Sequence, residues 1–107
     1  MNKKLDYDIL YRGGSELPNQ QVLWLTTSQK YASIYGIVSE YKIPLSTLDK
    51  LADEKIAMTF VKDKNIDEYP LYESENVDIQ KMKELGYTGY YYHEDEYNCL
   101  NVCLFKF

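Results

Sequence analysis

A chain of 107 residues with 45% hydrophobic residues is long enough to fold around a core of its own, and we expect residues 1–107 to form a single domain. The net charge of −5 is uneven, because residues 1–50 carry six basic and five acidic groups whereas residues 51–107 carry six basic and twelve acidic groups. The absence of a basic stripe argues against nucleic-acid binding, and no apolar run approaches the roughly 20 residues of a membrane span.

The N-terminal residues and the few potential metal ligands argue against a secreted protein and against a metal-binding protein. Two lysines near the N-terminus are followed by no apolar run, so a signal peptide is not expected and we expect a cytoplasmic protein. One histidine and no Cys-x-x-Cys pair argue against a metal site. Cys99 and Cys103 lie on one face of a predicted strand, roughly 13 Å apart, which is too far for a disulfide. We expect both thiols to be buried packing residues.

The N-terminal part of the chain predicts two strands joined by a turn-rich loop. Residue types alternate from Tyr7 to Arg12, as is typical of a strand, and two glycines follow. The loop covers Ser15–Gln21, and the apolar run Val22–Leu25 predicts a short buried strand.

A helix and a third strand are predicted next. One of the hydroxyl residues at 26–28 can cap a helix that begins near Gln29, and Gly36 is placed to end it after about two turns. Ile37–Ile43 predicts another strand, which Pro44 closes.

The middle of the chain predicts a second helix and a polar segment. Ser46 and Asp49 form a Ser-x-x-Asp capping pattern. Apolar residues follow at helical spacing: Leu48, Leu51, Ala52 and Ile56. Met58–Val61 predicts a short strand, and the charged segment Lys62–Glu75 predicts a variable loop.

The C-terminal part predicts a last helix and a hairpin. Asn76 can cap the helix, which Gly86 ends and whose inward residues are Ile79, Met82 and Leu85. The strands Tyr87–Tyr92 and Asn98–Phe105 close the chain. This order of elements is that of a mixed α+β fold.

The turn of the hairpin, His93–Tyr97, holds three carboxylates and the only histidine of the chain. Loops of this kind commonly carry function, but an acidic turn can equally be a solvated surface feature. The twelve tyrosines allow a similar choice: tyrosine rings can line a cleft that stacks on a flat ligand, or they can reflect a compositional bias.

Two further stretches carry chemistry. Tyr11 to Ser15 reads Tyr-Arg-Gly-Gly-Ser, in which glycines allow close backbone approach and Arg12 can hold a phosphate. Thr26, Thr27 and Ser28 end the next strand and open a helix, so their hydroxyls can bind ribose or phosphate, or can serve only as a cap.

In this order, the Arg-Gly strand end, the Thr-Thr-Ser strand end and the tyrosine-rich strand with its acidic turn resemble the ADP-ribosyltransferase superfamily over residues 9–43 and 84–105. The resemblance implies an α+β fold in which short helices pack on a split, antiparallel-rich sheet, and NAD as the substrate. It also implies a set of NAD-binding residues in this chain. They are Tyr11, Arg12, Gly13, Thr26, Thr27, Ser28, Tyr31, Tyr35 and Asn101.

The resemblance allows two registers for the catalytic acid of the family. Aligned on the Gly-Tyr-x-Gly pattern at residues 86–89, the usual glutamate falls on Asn101, an amide without the negative charge. The C-terminal region is also similar to that of an anti-CRISPR ADP-ribosyltransferase, and in that register the acid is Asp95. Glu94 or Glu96 would then position the acceptor. We expect Asp95, Glu94 and Glu96 to form the catalytic group.

These residues support three hypotheses. The first is a mono-ADP-ribosyltransferase that moves ADP-ribose from NAD to a side chain of a target protein, such as a phage-encoded inhibitor of a bacterial defence complex or a toxin. The second is a non-catalytic ADP-ribosyltransferase-like protein that inhibits a partner through its acidic surface. The third is a structural α+β domain without a pocket.

Overall fold

The computed structural model describes residues 8–15, 21–65 and 68–106. The predicted start of the first strand at Tyr7 and most of the predicted loop at Ser15–Gln21 lie outside these ranges. Within them, the chain forms one six-stranded sheet with short helices on it, which confirms the predicted α+β class.

The six strands are hydrogen-bonded in the order β3-β1-β2-β6-β5-β4. Their bounds are β1 Ile9–Gly13, β2 Val22–Thr26, β3 Val38–Lys42, β4 Leu51–Ala52, β5 Gly89–Glu94 and β6 Cys99–Phe105. All neighbouring pairs are antiparallel except β4 and β5, which are parallel. β1 pairs with β2 only at Tyr11 and Thr26, whereas five residues of β1 pair with β3. The sheet is therefore continuous, and the predicted split is limited to the narrow junction of β1 and β2.

The described residues also form four short helices and two 3₁₀ turns. The helices are α1 Gln29–Ser33, α2 Leu45–Leu48, α3 Glu54–Met58 and α4 Ile79–Glu84, and the 3₁₀ turns are Pro70–Tyr72 and Ser74–Asn76. In the described part of the chain, no helix has both the length and the apolar character needed to cross a membrane.

The sheet buries apolar side chains on both faces, because strand residues alternate between the faces. On the first face, α3, α4 and the first 3₁₀ turn cover a cluster that includes Val22, Ala57, Leu71, Met82, Tyr90 and Cys103. On the second face, α2 covers a smaller cluster formed by Leu10, Leu25, Ile43, Leu48 and Val102. The predicted role of both cysteines is confirmed, since Cys99 and Cys103 are free and buried.

The helix predicted from the Ser46–Asp49 pattern is wrong. The chain forms α2 and α3 instead, and between them Leu51 and Ala52 form β4 opposite Gly89 and Tyr90 of β5. The apolar residues fit a helical period, but pairing with a distant strand outweighs that local preference. Asp53 caps α3 by accepting a hydrogen bond from the backbone N–H of Ile56 at 2.9 Å.

Three smaller predictions also need correction. Met58 ends α3, and of the predicted strand only Val61 is paired, in an isolated bridge to Val77. The flanking residues make its hydrogen bonds: the Phe60 carbonyl accepts from the N–H of Asp78, and the N–H of Lys62 donates to the Asn76 carbonyl, each at 2.9 Å. The cap of α4 is Asp78 rather than Asn76. Leu85 does not face inward as predicted: it is the C-cap residue, directly after the last helical residue Glu84, and it is 58% exposed.

Candidate functional site

The junction of β1 and β2 is where α1 lies against the sheet. Gly13 makes this contact possible, because a Cβ atom at that position would lie 1.7 Å from the carbonyl oxygen of Ala32. Ser28 caps α1, with its hydroxyl accepting a hydrogen bond from the backbone N–H of Tyr31 at 3.0 Å. Together the glycine and the cap fix Tyr31 and Tyr35 above the ends of β1 and β2.

A cavity of about 460 Å³ lies between α1, the sheet and the first 3₁₀ turn. Seven residues predicted to bind NAD line it: Tyr11, Arg12, Gly13, Thr26, Tyr31, Tyr35 and Asn101. Residues that were not predicted complete its lining, and they are Gly14, Ser15, Trp24, Leu25, Ala32, Tyr72 and Tyr92. The seven predicted residues thus come from four separate segments of the chain, and these segments meet at the cavity.

The base of the cavity is a row of polar residues that crosses four strands. Tyr11 lies opposite Thr26, Thr26 lies opposite Asn101, and Asn101 lies opposite Tyr92. Directly paired residues of a sheet project from the same face, so all four side chains share one face. Such a row presents hydroxyl and amide groups to a ligand on an otherwise apolar face.

Asn101 is the most buried polar group of this row, with 3% exposure. Its Nδ2 donates to the Tyr92 hydroxyl at 3.4 Å, and its Oδ1 accepts a weak bond from the Cys99 thiol at 3.8 Å. Burial raises the pKa of Tyr92 to about 12, so this hydroxyl stays protonated at neutral pH. Asn101 and Tyr92 therefore offer neutral hydrogen-bonding groups, without charge, at the base of the cavity.

The hydroxyls of the Thr-Thr-Ser stretch are largely engaged within the fold. The Thr26 hydroxyl donates to the Leu100 carbonyl at 3.2 Å, and the Thr27 hydroxyl accepts from the Leu100 N–H at 3.0 Å. Ser28 is the cap of α1. Of the three, only Thr26 lines the cavity. Thr27 and Ser28 hold the end of β2 and the start of α1 in place.

Arg12 brings a positive charge into the cavity. Its Nη1 donates to the Trp24 carbonyl at 3.2 Å, and its Nη2 donates to the Ser15 carbonyl at 2.8 Å. Its Nε is buried and has no hydrogen-bond partner among the described residues. The guanidinium nevertheless brings a positive charge to the lining, and that charge favours an anionic ligand.

The three acids of the hairpin turn do not line the cavity. The side chain of Asp95 is 98% exposed, and its carboxylate lies 2.7 Å from Nδ1 of His93, whose Nε2 lies 3.0 Å from Oδ1 of Asn98. The bond to Asp95 is the largest cause of the raised pKa of His93. Asp95 is thus held at the outer end of the hairpin, and Glu96 is exposed beside it.

Glu94 differs from the other two acids because β5 extends to it. It lies opposite Cys99, and it follows Tyr90 and Tyr92 on the face of the sheet that carries the cavity. After burial, the charge of Glu94 is the largest cause of the raised pKa of Tyr72, and it also raises the pKa of Tyr92. Tyr92 lines the cavity and Glu94 follows it by two residues on the same face, so Glu94 is the acid next to the lining, although it is not part of it.

The turn itself lies beside the cavity. The ring of Tyr97 contacts the ring of Tyr31 with centroids 5.1 Å apart, and Tyr31 contacts Tyr35 with centroids 5.6 Å apart and hydroxyls 3.1 Å apart. These three rings connect the acidic turn to α1. The turn and the cavity therefore belong to one local structure.

Trp24, Tyr72 and Tyr92 were missed as cavity residues. Trp24 precedes Thr26 by two positions on β2, so alternation along the strand would have placed both on one face. Tyr72 lies in the segment expected to be a variable loop, and no local signal placed it near β5. Its ring packs 5.4 Å from that of Tyr92.

A second cleft, of about 680 Å³, lies on the other side of Trp24 and Tyr72, which border both spaces. Its lining includes the carboxylates Glu73, Glu75 and Asp78. Three carboxylates against the single positive charge of Lys62 disfavour an anionic ligand, so the cavity with Arg12 is the better candidate site for one. The described residues contain no cluster of ligating side chains that could hold a metal ion.

A scan of protein-family models finds no match to this sequence, and searches of curated proteins and of solved structures find no similar protein. The chemistry of the cavity therefore rests on the residues that line it.

Proposed function

We propose that this chain is a mono-ADP-ribosyltransferase that binds NAD in the cavity and transfers ADP-ribose to a side chain of a target protein. One observation carries the proposal. Motifs on β1, β2, α1 and β6, each too short to be specific alone, bring seven residues to a single cavity of about 460 Å³. That volume is in the range of small-molecule sites.

The lining offers a partner for each part of the dinucleotide. Arg12 takes a phosphate, because its charged guanidinium lines the cavity. Tyr31 and Tyr35 supply rings on which the nicotinamide stacks. Asn101 and Tyr92 supply hydrogen bonds to the ribose hydroxyls from the base of the cavity.

Within this proposal, Glu94 is the catalytic acid. As the bond between C1″ of the ribose and the nicotinamide nitrogen breaks, the electron pair leaves with neutral nicotinamide and positive charge develops on the ribose. A fixed carboxylate stabilises that charge. Glu94 lies at the edge of the cavity and on its face of the sheet, two residues or about 7 Å along β5 from Tyr92. Asp95, at the outer end of the turn, is the alternative candidate for the catalytic acid.

Incubating the protein with labelled NAD and host lysate tests the proposal. We expect nicotinamide release and label transfer in the wild type, and a loss of roughly 10²–10³ in rate for Glu94→Gln. Asp95→Asn is the matched control and should keep most of the activity. A loss in Asp95→Asn alone would move the acid to Asp95. A wild type that neither binds nor cleaves NAD would refute the proposal.

A second candidate is a non-catalytic ADP-ribosyltransferase-like protein that inhibits a partner, such as a bacterial defence complex in the host cytoplasm. The observation that favours it is Asn101, an amide at the base of the cavity and at one of the two positions expected for the acid. The excess of acidic groups in residues 51–107 provides the surface for a basic partner.

The two candidates predict different results for the same variants. A non-catalytic inhibitor should capture its partner equally well after Glu94→Gln, and capture should weaken as salt is raised. Asn101→Glu would place a carboxylate at the base of the cavity. If the wild type binds NAD without cleaving it and Asn101→Glu cleaves it, the second candidate is correct.

A further inference from the structure

Glu54 lies on the first turn of α3 and does not line the cavity. Its carboxylate accepts two hydrogen bonds, one from the hydroxyl of Tyr69 and one from the backbone N–H of His93 at 3.2 Å. A partly buried carboxylate that accepts two bonds from separate segments fixes the position of both. The two segments are the chain that leads into the first 3₁₀ turn and the end of β5.

The first of these bonds controls the aromatic wall of the cavity. The ring of Tyr69 packs with centroids 5.1 Å from Tyr72 and 5.6 Å from Tyr92. Tyr72 and Tyr92 line the cavity, and their own centroids are 5.4 Å apart. Because Tyr72 is 52% exposed, burial restricts its ring little, and the contacts with the rings of Tyr69 and Tyr92 hold it in place. Tyr69 is the only one of the three rings that Glu54 bonds directly.

The second bond controls the outer end of β5. β4 pairs with β5 at Gly89 and Tyr90 and does not extend to His93. The carboxylate of Glu54 takes the place of a strand partner for His93. His93 lies between Tyr92 of the cavity wall and Glu94 at the cavity edge.

We propose that Glu54 is a positioning residue that sets the ligand affinity of the cavity from outside it, by fixing Tyr69 against Tyr72 and Tyr92 and by holding β5 at His93. The inference rests on the proposed function for its ligand, NAD. The effect of Glu54 on the positions of the tyrosine rings can be tested in the protein without NAD.

The test measures NAD binding, through the emission of Trp24, to four variants at a temperature where all are folded. Tyr69→Phe loses one hydrogen bond and should raise the Kd for NAD about tenfold, and Glu54→Ala, which loses both bonds of the carboxylate, should raise it at least as much. Glu54→Gln should keep the Kd within about threefold of wild type, because the amide oxygen still accepts from the N–H of His93 and the amide N–H can donate to the hydroxyl oxygen of Tyr69. Glu84→Ala removes an exposed charge of α4 and should bind as wild type does.

A merely structural role would lower the melting temperature of Glu54→Ala and leave its Kd unchanged, and that result overturns the inference. NMR of the ligand-free protein separates this failure from failure of the proposed function. The ring signals of Tyr72 and Tyr92 should move in Glu54→Ala and not in Glu84→Ala. If wild type binds no NAD, the proposed function fails and the ring signals alone decide: movement supports the positioning role, and unchanged signals overturn it.

Discussion

Asn101 on β6 lies directly opposite Thr26 on β2, at the one position where β2 also pairs with Tyr11 of β1. A buried amide therefore lies next to the narrowest junction of the sheet, under α1, which packs closely on the sheet because Gly13 has no side chain. The cavity is a consequence of this arrangement, because β1 and β2 share a single residue pair and α1 covers the space beside it.

Replacing Asn101 by alanine should affect both stability and binding. The Tyr92 hydroxyl would lose its bond to the amide, and a void would open at the base of the cavity. We expect a loss of about 1–3 kcal/mol in the free energy of unfolding, measured by chemical denaturation. Asn65→Ala, at an exposed position, is the control and should change stability little. Equal stabilities for the two variants would show that the bond to Tyr92 contributes nothing.

Gly13→Ala should displace α1. The added Cβ would meet the carbonyl oxygen of Ala32 at 1.7 Å, and backbone atoms cannot move away as a side chain does. We expect a loss of about 1–3 kcal/mol in the free energy of unfolding and a loss of NAD binding. Gln29→Ala, an exposed substitution on the same helix, is the control. A folded Gly13→Ala variant with wild-type stability would contradict the packing described for α1.

His93 should titrate above its ordinary pKa of 6.5, chiefly because of its hydrogen bond to Asp95 and next because of Asn98. Since the folded pKa is raised, the stability from this pair is fully present below about pH 6.5 and is lost as the pH rises through the folded pKa. An NMR titration of the only histidine measures it. Asp95→Asn should bring the midpoint back toward 6.5. The same midpoint in both proteins would refute the pairing.

Both thiols should be unreactive in the folded protein. Cys99 and Cys103 are buried on β6, and burial raises the pKa of the Cys103 thiol to about 12, so little reactive thiolate forms at neutral pH. A thiol reagent should label neither residue in the native state within minutes and both after denaturation. Rapid native labelling of Cys103 would contradict the register of β6.

The elements that could be predicted from the sequence are those with local signals. β2 and α1 follow from an apolar run and a cap, and Gly13 ends β1 as its position predicted. β4 could not be predicted, because Leu51 and Ala52 form a strand only by pairing with β5. A pairing between distant segments leaves no local trace in the sequence.

The same limit applies to the site. Residues adjacent to glycines and caps were placed in the cavity by their motifs, whereas Tyr72 comes to it through ring packing against Tyr92. The face of the sheet on which Glu94 lies could be assigned only once the last residue of β5 was known. The predicted strand ended at Tyr92, but the strand continues to Glu94, and each added residue of a strand reverses the face on which a side chain lies.

The most direct test of the proposal that the cavity binds NAD is a titration of the protein with NAD, followed by the emission of Trp24. Trp24 is the only tryptophan of the chain, and it lines the cavity. The control is Ile37→Ala, at a position 90% exposed and outside the lining. We predict a saturable change in emission for wild type and for this control, and weaker binding for Asn101→Ala. The absence of a saturable change in wild type up to about 1 mM NAD, the upper end of typical KM values, would contradict the account.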